Sequence, residues 1–174
     1  LEVLKDETRS DGSPFIGHPD AVARIVREEI CLSDDCIVAI YLHEATREHP
    51  DLDISMFPDS ILTMVRGLNN IAGIKPKDTR LEAEKYKKLI VKYSDDPRVV
   101  IIKIADLEIM RSLNIFPKSS REPRLLETLL LYIPLAHQLG LHNVKSELEN
   151  IYFRYAEPEQ FRAITNKLKA TEKD

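Results

Sequence analysis

Apolar and polar residues alternate along most of this chain with the period of an α-helix, so that apolar positions recur every three or four residues. These patterns, bounded by capping and breaking residues, predict helices over 19–30, 33–48, 61–73, 81–93, 97–113, 123–140, 141–155 and 157–168. The five glycines and the many Leu, Ile, Glu, Lys and Ala residues also favour helix over sheet. The sequence therefore predicts an all-α bundle of about eight to ten helices.

The segment 97–113 is open to two interpretations, because its VVIIKIA stretch is rich in β-branched residues and fits a buried strand. A helix is favoured because the apolar pattern continues through ADLEIMRSL, which is too long for a typical strand. No other segment offers a partner strand either. A helix that is apolar on nearly all sides belongs in the centre of the fold.

Three residues shape the predicted helix that follows the polar break at 116–122. Pro123 fits a first helical turn, Pro134 is expected to kink the helix, and Gly140 is expected to end it. We expect a core domain over 1–120 and a helical connector over 121–174 that packs on it.

Composition adds a few limits to this picture. The chain has 174 residues, enough for one domain with a real core, and no apolar stretch approaches the length of a bilayer-spanning helix. A net charge of −4 argues weakly against broad nucleic-acid binding, which depends on phosphate neutralisation. Cys31 and Cys36 match no metal-binding spacing, so we expect two reduced thiols in a cytoplasmic protein. The opening residues have no hydrophobic core of a signal peptide.

Polar residues interrupt the apolar helices at a few positions where a metal ion could bind. The apolar run 37–42 leads directly into His43 and Glu44, Asp106 lies inside the apolar run 99–113, and His18 follows a turn near Pro14. We expect these four side chains to meet around one divalent cation. The alternative is that each is a hydrogen-bonded core residue, which is the more common fate of a single buried polar group.

The spacing of the candidate ligands separates two classes of metal site. A zinc-protease helix would carry HExxH, and the residues after His43-Glu44 do not fit that pattern. Two imidazoles and two carboxylates suit Mn, Fe or Zn better than Ca or Mg. Ligands dispersed in the order His, His-acid and Asp on helices are typical of HD-type phosphohydrolases.

Four segments carry a more specific resemblance: GSPFIGHPDAVARIV (12–26), YLHEATRE (41–48), RVVIIKIADLEIMRSL (98–113) and LLLYIPLAHQLGLHNVKSELENIYFRYAEPEQFRAI (129–164). Together they resemble the RelA/SpoT homologue family. The resemblance implies an all-α HD domain that uses Mn²⁺ to remove pyrophosphate from the 3′ position of the guanine alarmones ppGpp and pppGpp. The segment 129–164 resembles the helical connector that leads into the family's synthetase domain, so the resemblance leaves two alternatives: an attached synthetase domain or a free-standing relative.

The resemblance assigns roles to individual residues of this chain. The implied metal ligands are His18, His43, Glu44 and Asp106. The implied nucleotide contacts are Arg9 and Ser112, and the implied catalytic pair is Arg47 and Glu48.

Three departures from the family pattern change what the site is expected to do. Glu44 replaces an aspartate, Arg47-Glu48 replaces a Glu-Asp pair that positions or activates water, and one residue is missing from the motif at 106–110. Losing general-base catalysis commonly costs about 10²–10⁴ in rate. The sequence therefore leaves three functions open: a weakened pyrophosphohydrolase, an inactive domain that binds nucleotide or metal or regulates a synthetase, and a helical interaction module.

Overall fold

The computed structural model describes Leu4, Asp6, Thr8 and Lys88 together with residues 14–72, 96–105 and 107–171. Apart from Lys88, the helix predicted over 81–93 lies outside the described residues. Within the described ranges the fold is all-α, as predicted, and the one β-type contact is an isolated bridge between Thr8 and Pro14.

Seven helices of at least eight residues occur in the described part of the chain, slightly fewer than the predicted eight to ten. The first four are α1 (Gly17–Arg24, continued by a π turn over Ile25–Glu29), α2 (Asp34–Glu48), α3 (Asp59–Ala72) and α4 (Pro97–Ile104). The last three are α5 (Lys118–Glu127, the π turn Thr128–Tyr132 and Ile133–Gln138), α6 (His142–Ala156) and α7 (Pro158–Thr171). A short helical segment, Leu107–Arg111, and a 3-10 turn, Leu113–Ile115, lie between α4 and α5.

The first compact unit, Leu1–Ile109, contains α1 to α4. Helix α2 packs against α1, α3 and α4, and α4 also packs against α3. The fully buried side chains of this first unit include Val26, Met64, Ile71, Val99 and Ile104. Burying such apolar side chains in one place provides the main driving force for this arrangement.

Helices α3 and α4 lie close together at Gly67. A Cβ atom added to Gly67 would lie 2.9 Å from Cγ2 of Val99, which is only 1% exposed. An alanine at position 67 would therefore force the Val99 side chain or the neighbouring helix to shift. This close contact holds α4 against the helix that carries part of the candidate site.

The second compact unit, Met110–Asp174, contains α5, α6 and α7. Helix α6 packs against both of the others, with Leu131, Leu135 and Leu148 in the core. Gly140 has φ +74° and follows the end of α5, as the sequence predicted. The domain boundary expected at residue 120 stays a prediction.

Two helix boundaries differ from the sequence prediction. Helix α5 begins at Lys118, and Pro123 lies inside it instead of opening it. The earlier start is stabilised by Arg121, whose guanidinium donates to the backbone carbonyls of Phe116 and Asn114 at 2.7 Å each. The helix predicted over 97–113 is correct in type, but α4 ends at Ile104 and Ala105 forms a turn.

Helix α2 begins next to residue 33, where the sequence predicted its start. Ser33 occupies the N-cap position with an extended backbone, and its side chain makes no capping hydrogen bond. The hydroxyl oxygen lies instead 3.8 Å from Sγ of the buried Cys36. The helix still gains from Asp34 and Asp35, whose carboxylates lie in its first turn.

Candidate metal centre

A cavity of about 250 Å³ lies within the first unit, between α1, α2, α3 and α4. Its polar lining consists of His18, His43, Glu44, Arg47 and Lys103. Its apolar lining includes Phe15, Ile40, Leu68, Ile102 and Ile109. Three of the four predicted metal ligands therefore share one partly enclosed space, together with two side chains that carry positive charge.

His43 is held by a chain of hydrogen bonds that crosses from α2 to α3. Its Nδ1 lies 2.6 Å from Oδ1 of Asn69, and the amide of Asn69 donates to Oγ1 of Thr46 at 3.2 Å. The Thr46 hydroxyl is in turn bonded to the backbone carbonyl of Leu42, at 2.9 Å. The other ring nitrogen, Nε2, lies 3.5 Å from Oε1 of Glu44.

Glu44 is the one charged residue that is buried among those the structure describes, with 5% of its surface exposed. Arg47, one turn further along α2, places Nη1 3.3 Å from each of its carboxylate oxygens. The Arg47 side chain is about half exposed. The guanidinium thus supplies positive charge to a carboxylate that the sequence assigns to a metal ion.

His18 contacts a residue that the sequence analysis did not select. Its Nδ1 lies 3.0 Å from Oε2 of Glu108, in the short helical segment after α4. Because α4 ends at Ile104 and the chain turns at Ala105, Glu108 does not continue the face of α4. A carboxylate on the far nitrogen of an imidazole is a common means of orienting a metal-binding histidine.

A further hydrogen bond joins the two helices that carry the histidines. The Tyr41 hydroxyl donates to the carboxylate of Asp20. Asp20 lies two residues after His18 in α1, and Tyr41 lies two residues before His43 in α2. Burial, followed by this hydrogen bond, raises the pKa of Tyr41 to about 12. The bond therefore fixes the relative position of the helices at the cavity.

The donor atoms partly fit a divalent cation. Nitrogen and oxygen ligands about 2.1 Å from a tetrahedral ion lie about 3.4 Å from each other, close to the 3.5 Å between His43 Nε2 and Glu44 Oε1. Within residues 14–72, 96–105 and 107–171, however, no three His, Cys, Asp or Glu side chains are arranged to hold an ion. The fourth predicted ligand, Asp106, lies outside the described residues. The spacing of the two adjacent donors on α2 therefore suits two ligands of one ion.

Glu48 is the one remaining predicted site residue that lies in the described part of the first unit. Glu48 is exposed and does not line the cavity. Arg9 lies outside the described residues, and Ser112 lies in the second unit at the turn before Leu113–Ile115. Their roles stay predictions.

The sequence reasoning missed Asn69, Thr46, Lys103 and Glu108. Asn69 had a detectable signal, since it follows Val65 by four residues and so continues the apolar stripe of α3. A polar residue on a core-facing stripe needs a partner, and His43 is that partner. Glu108 had no such signal, because its position depends on the turn at Ala105.

None of the helices in the described ranges combines the length and apolar character needed to cross a membrane.

Comparison with known proteins gives a consistent set of similarities. Residues 1–142 match a family model described as an HD domain. The bifunctional (p)ppGpp synthase/hydrolase SpoT of Escherichia coli (strain K12) is 36% identical over 170 residues, which are 94% of this chain and 24% of that protein. A guanosine-3′,5′-bis(diphosphate) 3′-pyrophosphohydrolase of Aquifex aeolicus is 34% identical over 174 residues, 97% of this chain and 24% of that protein. The GTP pyrophosphokinase rsh of Brucella melitensis biotype 1 is 32% identical over 176 residues, 97% and 23% respectively. The chain spans about a quarter of the length of these relatives.

Proposed function

Because this chain belongs to the HD-domain family, we propose that its cavity binds a divalent metal ion. With that ion, the domain hydrolyses ppGpp and pppGpp and releases their 3′-pyrophosphate. HD-domain hydrolases are metal-dependent as a class. The nucleotide substrate is taken from relatives whose names describe a guanosine-3′,5′-bis(diphosphate) 3′-pyrophosphohydrolase. The cation we propose is Mn²⁺, and the compartment is the cytoplasm.

The observation that carries this proposal is the convergence of His18, His43 and Glu44 on one cavity. Asp106 completes the proposed ligand set. When bound, the ion would stabilise negative charge on phosphoryl oxygens and lower the pKa of a water molecule. The hydrogen bonds from His43 to Asn69 and from His18 to Glu108 would orient the two imidazoles toward that ion.

The cations at the cavity support a phosphorylated substrate. Arg47 and Lys103 both line it, and a guanidinium and an ammonium group are the side chains that most often bind phosphate oxygens. Arg9 and Ser112 are proposed as additional nucleotide contacts. Glu48 follows Glu44 by one helical turn on α2 but lies outside the cavity lining, so its proposed action on water rests on the family resemblance.

A second candidate function is binding without turnover, in which the domain senses the nucleotide and regulates an attached synthetase domain. The Arg47–Glu44 contact favours this function, because a guanidinium beside a proposed ligand carboxylate competes with a metal ion. Arg47 also stands where the family has a carboxylate that positions or activates water. Both functions use the same cavity. They differ in whether the ester bond between the 3′ oxygen and the pyrophosphate group is cleaved.

The two functions are separated by measuring metal binding, nucleotide binding and pyrophosphate release on the same purified chain. Mn²⁺ binding with release of pyrophosphate from ppGpp supports hydrolysis, and binding of both without release supports the regulatory function. Glu44→Gln should weaken metal binding, whereas the exposed His137→Gln, outside the cavity lining, should leave it unchanged. Absence of both metal and nucleotide binding would contradict the proposal and leave a helical interaction module.

A further inference from the structure

We infer that Asn69 is a positioning residue that fixes His43 in the tautomer with a proton on Nδ1, so that Nε2 presents its lone pair beside Glu44. Thr46 lies in the turn of α2 that follows His43. Its hydroxyl lies 2.9 Å from the carbonyl oxygen of Leu42 and 3.1 Å from that of His43. A hydroxyl has one proton and a carbonyl oxygen can only accept, so the Thr46 proton is committed to the backbone.

The direction of the next bond follows from that commitment. The oxygen of Thr46 must act as the acceptor toward Asn69, 3.2 Å away, and only the NH₂ group of the amide can donate to it. The carbonyl oxygen of Asn69 then faces Nδ1 of His43 at 2.6 Å. An amide oxygen cannot donate, so the proton of this bond belongs to His43.

The result is a hydrogen-bond relay whose sense is set by the backbone of α2 and carried through α3 to the imidazole. A neutral imidazole has one N–H and one lone pair, so a proton on Nδ1 leaves the lone pair on Nε2. That nitrogen lies 3.5 Å from Oε1 of the buried Glu44. Two acceptors face each other across a gap that suits a shared cation.

The role of the Nε2 lone pair as a metal ligand rests on the proposed function, whereas the tautomer of His43 does not. The tautomer itself can be measured on the protein without metal, at a pH about two units above the ordinary imidazole pKa of about 6.5. Long-range proton–nitrogen correlation spectra of ¹⁵N-histidine-labelled protein separate the Nδ1–H, Nε2–H and doubly protonated forms. The signal of His43 is assigned by its loss in His43→Gln.

We expect His43 to be in the Nδ1–H form in the wild type. In Asn69→Leu the signals should move toward the Nε2–H form, because the acceptor at Nδ1 has been removed. Asn69→Asp restores an acceptor and should keep Nδ1 protonated. Asn70→Leu, at the exposed neighbouring position of α3, should leave the spectrum unchanged and is the matched control.

Thr46 provides a second test that leaves Asn69 in place. Thr46→Ser keeps the hydroxyl and should preserve the Nδ1–H form, whereas Thr46→Val removes the group that orients the amide and should give a mixture. A wild-type His43 that is protonated on Nε2, alone or on both nitrogens, would overturn the inference. So would a spectrum that does not change in Asn69→Leu.

The metal affinity of the same variants gives an independent readout. Removing a side chain that orients a histidine ligand typically weakens metal binding about 10–100-fold, and we expect a loss of that size for Mn²⁺ in Asn69→Leu. Failure of the two proposals is distinguishable. If the wild type binds no Mn²⁺ but shows the Nδ1–H form, the proposed function fails and the role of Asn69 stands.

Discussion

Replacing Arg47 by Gln should increase the affinity of the cavity for a divalent cation. The change keeps a side chain of similar shape and removes the positive charge that lies 3.3 Å from both oxygens of Glu44. In the wild type a metal ion must displace that guanidinium or bind beside it. The variant leaves the carboxylate to the incoming ion.

The size of the effect follows from the distance and the exposure of the pair. Two unit charges 3.3 Å apart interact by about 1 kcal/mol in water and about 5 kcal/mol at an effective dielectric constant of about 20. The Arg47 side chain is 49% exposed, which places the net value toward the lower end, near 1–2 kcal/mol. A change of that size corresponds to roughly 5–30-fold in affinity.

Isothermal titration calorimetry with Mn²⁺ measures this change directly, and thermal unfolding with and without Mn²⁺ provides a second readout. Without metal, Arg47→Gln should be less stable by about 1–3 kcal/mol, because the buried Glu44 has lost a charged partner. Added Mn²⁺ should recover stability through its binding to the folded state. Arg47→Glu introduces the glutamate that the family pattern has at this position, and it should raise the rate of pyrophosphate release from ppGpp.

Arg66→Gln is the matched control, because it makes the same change in charge at an exposed position of α3 outside the cavity lining. It should leave the Mn²⁺ affinity unchanged. Equal affinities for the wild type and Arg47→Gln would refute the argument that the guanidinium competes for Glu44. A lower affinity in Arg47→Gln would show that Arg47 supports the metal site instead.

Three further predictions concern packing and titration in the first unit. Gly67→Ala should lower the free energy of unfolding by about 1–3 kcal/mol in chemical denaturation, because the new methyl group meets the buried Val99 at 2.9 Å. Spectrophotometric titration should show one tyrosine ionising near pH 12, and Tyr41→Phe should remove that step. Asp96→Asn should reduce the free energy of unfolding by up to about 1 kcal/mol above pH 4, because hydrogen bonds from Arg98 hold the pKa of Asp96 below its ordinary 3.8. The difference between the variant and the wild type should fade as the pH falls through that lowered pKa.

Each of these predictions has an outcome that would contradict it. Gly17→Ala is the control for Gly67, because no atom lies within 4 Å of the added Cβ, and an equal loss in both variants would exclude steric packing as the cause. A late tyrosine that persists in Tyr41→Phe would assign the raised pKa to another residue. A stability difference for Asp96→Asn that stayed constant as the pH fell would show that the charge of Asp96 is not responsible.

The helices could be predicted from the sequence because most of them bury a continuous apolar stripe. The stripe through Ile61, Met64, Val65 and Leu68 marks α3 closely, and the acids after Ser33 mark the start of α2. The start of helix α5 could not be placed correctly, because it depends on hydrogen bonds from the Arg121 side chain to the backbone carbonyls of Asn114 and Phe116. Periodicity carries no information about such bonds.

The composition of the candidate site could be predicted only in part. His18, His43 and Glu44 stood out as polar residues beside apolar runs, and the structure places all three around one cavity. Their partners Asn69 and Glu108 depend on how separate elements pack and where α4 ends, and no local pattern contains that information. The sequence identified the atoms that could bind an ion, and the structure adds those that orient them.

The most direct test of the central claim is whether His18 and His43 respond to the same ion. Mn²⁺ broadens nearby proton signals, so both imidazole signals can be followed during one titration by nuclear magnetic resonance. We expect the two signals to broaden over the same range of Mn²⁺ concentration, and Glu44→Gln to shift both curves together to higher concentration. Broadening at different concentrations, or curves that Glu44→Gln leaves unchanged, would contradict a shared metal site.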